Sequence, residues 1–457
     1  MTERSARGVK RWRRTACGSS AALLMLAGMP ESRADIGYDV LAGMGYTDNV
    51  RLTQTDRRSD TIATAGFDLA WHEQQRMFDA DVTADIEYLH YLRHSYGGLV
   101  IGNLMGDAHI TLVPEVLRWS ISDNFGQGTV DPAAAVTPTN RENINFFSTG
   151  PDLTLPLGSS NELLADLRYS KVSYQKDPLS SNRYSAGLGV RHELSPSSGV
   201  SLNVQDETIR FDSVENPNYD QQEIFGRLDA KGVRTRVSFD AGYDRLKLQT
   251  ETVSGPFARL ELTRQLTPFQ SAILTAGHDF SDAGNEFLLL QSLGGANLSA
   301  QPVGANSSPF KQNYVTLGWG YQGPRTSFGF SGGYFKLTYQ ENNSLDEQRT
   351  NATAHINRRF TPRLDGGIYL IYTKDQFANL VASNYRQVDA NAQLLYHVNA
   401  RFTVDVEYAH TRRDSATDVT TYTDNRVWLK FKYGRALPPP PPAAAPALPG
   451  LHRQPRY

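Results

Sequence analysis

The sequence predicts an all-β fold: a transmembrane, antiparallel outer-membrane β-barrel of about 20 strands, with 18 as the alternative count. Three observations predict it. Apolar and polar residues alternate with a period of two in long runs that recur along almost the whole chain. Short turn-like connections take turns with long polar ones, as in bacterial outer-membrane barrels. Beyond the N-terminus, no apolar run approaches the roughly 20 residues of a membrane-spanning helix, and few segments are oily on both faces, as the core strands of a large soluble sandwich would be.

At 457 residues, 39% hydrophobic and 21% charged, the chain could form one large domain or several ordinary ones. Its 22 Tyr, 20 Phe and 37 Gly suit strands and turns better than helices. Residues 1–34 read as a cleaved signal peptide: a basic region (Arg4, Arg7, Lys10, Arg11, Arg13, Arg14), an apolar stretch from Ala21 to Met29, and Ser32-Arg33-Ala34 as the cleavage site. Arg13-Arg14 belongs to the basic region rather than to a twin-arginine signal. The single cysteine, Cys17, lies within this segment, so the mature chain is expected to hold no disulfide. Removing residues 1–34 takes away seven basic and two acidic side chains and moves the formal charge from −2 to −7, which argues against nucleic acid as a partner.

Residues 35–435 carry the alternation. Early in the chain Phe78, Ala80, Val82, Ala84, Ile86 and Tyr88 interleave with Asp79, Asp81, Thr83, Asp85 and Glu87. In the middle, Tyr184, Ala186, Leu188 and Val190 oppose Arg183, Ser185 and Arg191, and Val233 to Tyr243 oppose Arg234, Arg236, Ser238, Asp240 and Asp244. Leu364 to Tyr372 oppose Asp365 and Tyr369, and Val388 to Tyr396 oppose Asp389, Asn391 and Gln393. The final pair sets Phe402, Val404, Val406 and Tyr408 against Asp405 and Glu407, then Val427, Leu429, Phe431 and Tyr433 against Arg426, Trp428, Lys430 and Lys432. Pairing these two antiparallel would bring carboxylates beside lysines.

Tight connections are expected at residues 73–75, 113–115, 157–160, 195–198, 231–232, 267–269, 322–325, 361–363 and 398–400. Longer ones include 53–61, 94–102, 126–142, 250–255 and 281–309. The tight turns and both ends of the barrel would face the periplasm. Aromatics in Gly318-Trp319-Gly320-Tyr321, Tyr334-Phe335, Tyr369-Leu370-Ile371-Tyr372 and Tyr433 are expected near strand ends, as interfacial girdles. Residues 436–457, with prolines from Pro438 to Pro442, cannot join a sheet and are expected to be an extended periplasmic tail.

Zinc-binding His-Glu-x-x-His patterns, phosphate loops and cysteine pairs are missing from the sequence, and no nucleophile elbow, which needs a strand-to-helix turn, is expected in a chain of successive strands, so neither enzyme activity nor a cofactor is expected. His90 and His94 have a helical ligand spacing but fall at a strand-to-loop junction, where that spacing does not converge on a metal. The chemistry lies on the polar face. If lipid meets the oily face, then Asp79, Asp81, Asp85, Glu87, Arg191, Arg234, Arg236, Asp240, Asp244, Asp365, Asp389, Asp405, Glu407, Lys430 and Lys432 line a wet lumen of mixed charge. Most would pair across strands; together they could select a hydrophilic solute. Residues 281–309 carry an apolar run, Phe287-Leu288-Leu289-Leu290, followed by Gly294-Gly295. That loop is expected either to fold inwards as a constriction or to cap the barrel from outside.

The string Gly45-Tyr46-Thr47-Asp48-Asn49-Val50-Arg51-Leu52-Thr53 resembles the opening strand of β-barrel porins found beside exopolysaccharide and PEP-CTERM sorting loci. Tyr-Thr-Asp-Asn recurs at Tyr422 to Asn425, and Tyr433-Gly434-Arg435 is similar to that family's closing residues. The resemblance implies a Gram-negative outer-membrane protein tied to making or exporting a surface polysaccharide, with a periplasmic export component as a possible partner. It brings no catalytic residues. A general or solute-specific diffusion porin, and a structural or adhesive surface protein, stay open beside it.

Overall fold

A computed structural model describes residues 35–294, 307–341, 346–379, 383–417 and 420–435. The expected signal peptide and proline-rich tail lie outside the described residues. Twenty strands follow in order: β1 (Asp35–Thr47), β2 (Asp60–Gln74), β3 (Phe78–Tyr91), β4 (Leu99–Val113), β5 (Leu117–Thr129), β6 (Arg141–Pro156), β7 (Asn161–Tyr174), β8 (Ser181–Ser195), β9 (Ser198–Phe211) and β10 (Tyr219–Lys231). The second half comprises β11 (Thr235–Lys247), β12 (Thr252–Thr267), β13 (Gln270–Ser281), β14 (Phe310–Gln322), β15 (Thr326–Tyr339), β16 (Glu347–Thr361), β17 (Leu364–Phe377), β18 (Tyr385–His397), β19 (Phe402–Ser415) and β20 (Tyr422–Arg435). Each strand pairs antiparallel with the next, and β1 pairs with β20, so the sheet closes and leaves no edge.

Closure explains what the alternation is for. Tyr184, Leu188 and Val190 on β8, Val200, Leu202 and Val204 on β9, and Val427, Leu429, Phe431 and Tyr433 on β20 all point outwards and stay exposed. Among the described residues, no protein layer covers them. On β18 the outward apolar set runs from Val388 to Tyr396, a length close to the 9–11 residues that cross a bilayer as a tilted strand. Above this belt the outward positions turn polar: Arg210 on β9, Arg386 on β18, and Arg412 with Asp414 on β19. Backbone groups in hydrocarbon must be paired within the fold, and a closed barrel meets that condition. The molecule is an outer-membrane β-barrel.

All nine tight turns fall at one end, together with the first residue of β1 and the last of β20. Four register shifts, at Thr111/Val113, Glu193/Ser195, Gln265/Thr267 and Arg359/Thr361, lie at this same end, where bulges are common on barrel rims. One connection expected to be long is short: β11 and β12 join through residues 248–251, where the Leu248 amide donates to the Glu251 carbonyl at 2.9 Å. The strand pattern simply extends further than its polar outward residues suggested.

The repeated string closes the ring. Tyr46 to Asn49 and Tyr422 to Asn425 lie side by side at the β1–β20 seam. Thr47 donates to Asp424 at 2.6 Å, Asn425 donates through its amide nitrogen and its side chain to Asp48 at 2.9 and 2.6 Å, and Asn49 donates to the Thr423 carbonyl at 2.9 Å.

Candidate functional site: the lumen and its constriction

The first part of the expected loop, residues 281–294, folds inwards; residues 295–306 lie outside the described residues. Ser281 ends β13, and a helix, α1 (Ala283–Gly294), begins at once. Asp282 caps it by accepting from the Asn285 amide at 3.0 Å, while its own carbonyl takes the Glu286 amide at 2.8 Å. Four apolar residues in succession put oil on both sides of the helix, which requires burial. Phe287 packs on Ile144 and Phe146 of β6 and Val172 of β7; Leu289 and Leu290 pack on Tyr314 of β14 and Phe335 of β15. All of these partners point into the barrel.

Ions fix the helix from two sides. Arg183 of β8 donates two hydrogen bonds of 2.9 Å to Asp282, which also accepts from the Tyr219 hydroxyl of β10. Burial alone would raise the Asp282 carboxyl, but the Arg183 guanidinium and these hydrogen bonds outweigh it and hold the group below the ordinary range. Arg349 of β16 pairs with Glu286 at 3.1 Å and with its own-wall carboxylates Glu347 and Asp375. Gln291 donates to the Phe125 carbonyl of β5 at 2.7 Å. One 12-residue helix, about 18 Å long, thus touches strands of both halves of the ring near their long-loop ends.

A second loop joins it. Residues 130–140 between β5 and β6 lean over the mouth, where Arg413 of β19 donates to the Ala134 and Ala133 carbonyls at 2.9 and 2.5 Å and stacks on Tyr385. Burial follows this geometry. Inward residues near the mouth, such as Ile144, Arg183, Arg349, Asp375 and Arg413, are almost fully covered, whereas His355, Asn391 and Gln393, nearer the turns, are open to the lumen. The lumen is filled at the long-loop end and open towards the tight turns.

Most of the predicted lumen residues take inward positions. Asp79, Asp81, Asp85 and Glu87 share the inward parity of β3; Arg191 that of β8; Asp240 and Asp244 that of β11; Asp365 that of β17; Asp389 that of β18; Asp405 and Glu407 that of β19; and Lys430 and Lys432 that of β20. Arg234 is an exception, since it sits exposed in the turn before β11 with Val233, and Arg236 is at the exposed turn-side end of that strand. The alternation ran through the turn without a break, which hid it.

Asp405 does stand opposite Lys430 in the β19–β20 register, yet Lys430 reaches Glu87 of β3 at 2.6 Å and Lys432 reaches Asp68 of β2 at 2.9 Å. Both cross the slender β1. A Cβ at Gly43 would come within 2.9 Å of Lys430 Cγ, and Trp428 lies over Gly45. Asp240 pairs with Arg227 at 2.6 Å, and Gln221 donates to Asp244 at 2.7 Å.

Arg168, Arg259, Arg349, Glu223, Asp279, Asp282 and Glu286 were not singled out from the sequence, although they make the most buried ion pairs. Of the expected aromatic girdle, Trp319 and Tyr321 do sit outward at the turn end of β14; Phe335 and Tyr369 point inwards, and Tyr369 and Tyr372 lie mid-strand. Among the described residues, no cluster of three or more His, Cys, Asp or Glu could hold a metal ion, and His90 and His94 meet only edge to face, 6.2 Å apart.

No protein-family model matches the chain, and no curated protein matches it. Solved structures do. A mutant ferric enterobactin receptor, PfeA, from Pseudomonas aeruginosa aligns over 89% of this chain and 81% of its own, at 10% identity and a TM-score of 0.48. The FrpB iron transporter from Neisseria meningitidis aligns over 89% and 82%, at 10% identity and a TM-score of 0.44. The ferric citrate transporter FecA aligns over 87% and 78%, at 10% identity and a TM-score of 0.42. The twenty-strand closure itself rests on the pairings of this chain.

Proposed function

We propose that the protein is a passive outer-membrane conduit for hydrophilic solutes, constricted at its outer end by α1 and serving the making or export of a surface polysaccharide. The observation that carries the conduit is the placement of α1: a structural or adhesive barrel has no use for a helix clamped across its lumen by Asp282–Arg183 and Glu286–Arg349. A helix of this kind sets the width and the charge that a passing solute meets. The link to polysaccharide rests on the Tyr-Thr-Asp-Asn strings and the closing Tyr433-Gly434-Arg435. A narrow mouth also suits a diffusion porin for small solutes, which is the second reading.

Single-channel recording in planar bilayers tests the proposal. Deleting residues 284–300 should raise conductance at least twofold and admit larger polymers into the lumen. A protein that inserts but carries no current, with or without the helix, would overturn the conduit. Loss of surface polysaccharide in a strain lacking the protein, restored by the intact chain, separates the first reading from the second.

A further inference from the structure

Below the constriction the lumen has two chemically different walls. From β6 to β13 the inward side chains neutralise one another: Arg168 pairs with Asp152, Arg227 with Asp240 at 2.6 Å, and Arg259 with Glu223 and Asp279 at 2.6 and 2.5 Å. Ions held this way have little left for a passing solute.

The wall from β15 to β18 is built otherwise. His355, Tyr369 and Asn391 stand directly opposite one another across three adjacent strands, and Asn357, Gly367 and Gln393 form the next row towards the turns. Among the described residues, no ion pair involves any of these side chains. The His355 and Tyr369 rings lie 6.0 Å apart with only 22° between their planes. Glycines behind them allow this: a Cβ at Gly329 would sit 2.5 Å from His355 Cε1, and one at Gly367 would sit 3.1 Å from Tyr369 Cε2. The two rings are therefore flat plates laid along the sheet.

The hydrogen bonds that these groups make use only one end of each amide. The Tyr369 hydroxyl donates to Asn357 Oδ1 at 2.6 Å, Asn391 donates through Nδ2 to Glu407, and Gln393 donates through Nε2 to Asp405 at 2.9 Å. The Asn357 NH2 group and the side-chain carbonyl oxygens of Asn391 and Gln393 have no partner among the described residues. Donors and acceptors thus alternate beside two ring faces, in a part of the lumen open to water.

We propose that this wall is a binding track for an uncharged, polyhydroxylated solute, an oligosaccharide, which rests on the conduit reading above. A sugar hydroxyl both donates and accepts, so it fits a row of half-used amides, and the C–H face of a sugar ring packs on an aromatic plate. An anionic chain would need unpaired cations, but the basic side chains next along this wall, Arg359 and His397, sit towards the turns and are held by Asp365 at 3.4 and 3.1 Å.

The test is calorimetric titration of the full chain in detergent with a neutral glucose hexasaccharide, a hexagalacturonate and a polyethylene glycol of matched size. The neutral hexasaccharide should bind at least tenfold more tightly than either of the others. The Tyr369→Ala/Asn391→Ala double variant should lose at least tenfold in affinity, while Ser238→Ala on the opposite wall should not change it. Should the double variant fail to fold, Tyr369→Phe, which keeps the plate and frees Asn357, replaces it with an expected threefold loss. Equal binding of glycol and sugar, a preference for the anion, or an unaffected variant overturns the track. Conductance of the same preparation tells the two proposals apart: current without sugar binding removes the track alone, and sugar binding without current removes the conduit.

Discussion

Single side chains on the loops show how this barrel mixes fixed and titrating charge. Glu142 of β6 accepts from the Lys176 and Asp177 amides at 2.9 and 3.0 Å, which draws the Asp177 side chain against a second carboxylate. Burial first, then hydrogen bonding and the Glu142 charge, push Asp177 up to about 7. A raised carboxyl binds more protons in the folded state than in the unfolded one, so its contribution falls as pH rises from about 4 to about 7. Asp177→Asn, which cannot ionise, should melt several degrees above the natural protein at pH 8 and level with it at pH 4; equal melting at both values would dismiss the shift. Which face each residue would occupy was legible in the sequence, because parity is a local property of a strand. Partners were not. Arg183 was visible on the polar face of β8, but its carboxylate lies 99 residues away on a loop with no strand pattern, and Lys430 ignores its register neighbour for Glu87, three strands away across β1 and β2.

At the scale of elements, α1 and the seam teach different lessons. The helix was half legible: Phe287-Leu288-Leu289-Leu290 is too oily for a loop in water, so it had to be covered, but whether by neighbouring loops or by the lumen wall depended on Phe146, Val172, Tyr314 and Phe335, scattered over four strands. The seam was legible as a repeated string without a stated purpose. Its copies turn out to bind one another, Asp48 to Asn425 and Thr47 to Asp424, where the first and last strands must meet. Groups in direct contact couple by about 0.5–3 kcal/mol in double-mutant cycles. In Asp48→Ala, Asn425→Ala and the double variant, urea unfolding in lipid vesicles should therefore reveal coupling of about 1 kcal/mol or more. Strict additivity would mean that the strings do not fasten the closure.

For the whole molecule, everything depends on hydrocarbon rather than protein covering the outward face. Leu188 and Leu194 make this testable, because both point outwards from β8 and are exposed to nearly the same degree, 55% and 57%. They differ in depth. Leu188 lies midway between Ser181 and Ser195, whereas Leu194 is one residue from the turn end. In water the two positions are equivalent, and an arginine at either would be tolerated. In a bilayer the cost of arginine is about 2–4 kcal/mol at the midplane and falls to about 0–1 kcal/mol near the interface. Leu188→Arg should therefore lower the unfolding free energy in lipid vesicles by about 2–4 kcal/mol, and Leu194→Arg by no more than about 1 kcal/mol. Equal, small losses at both positions, or a mature chain that stays folded and monomeric without detergent, would mean that another protein surface covers the belt, and the lumen would lose its standing as a path across a membrane.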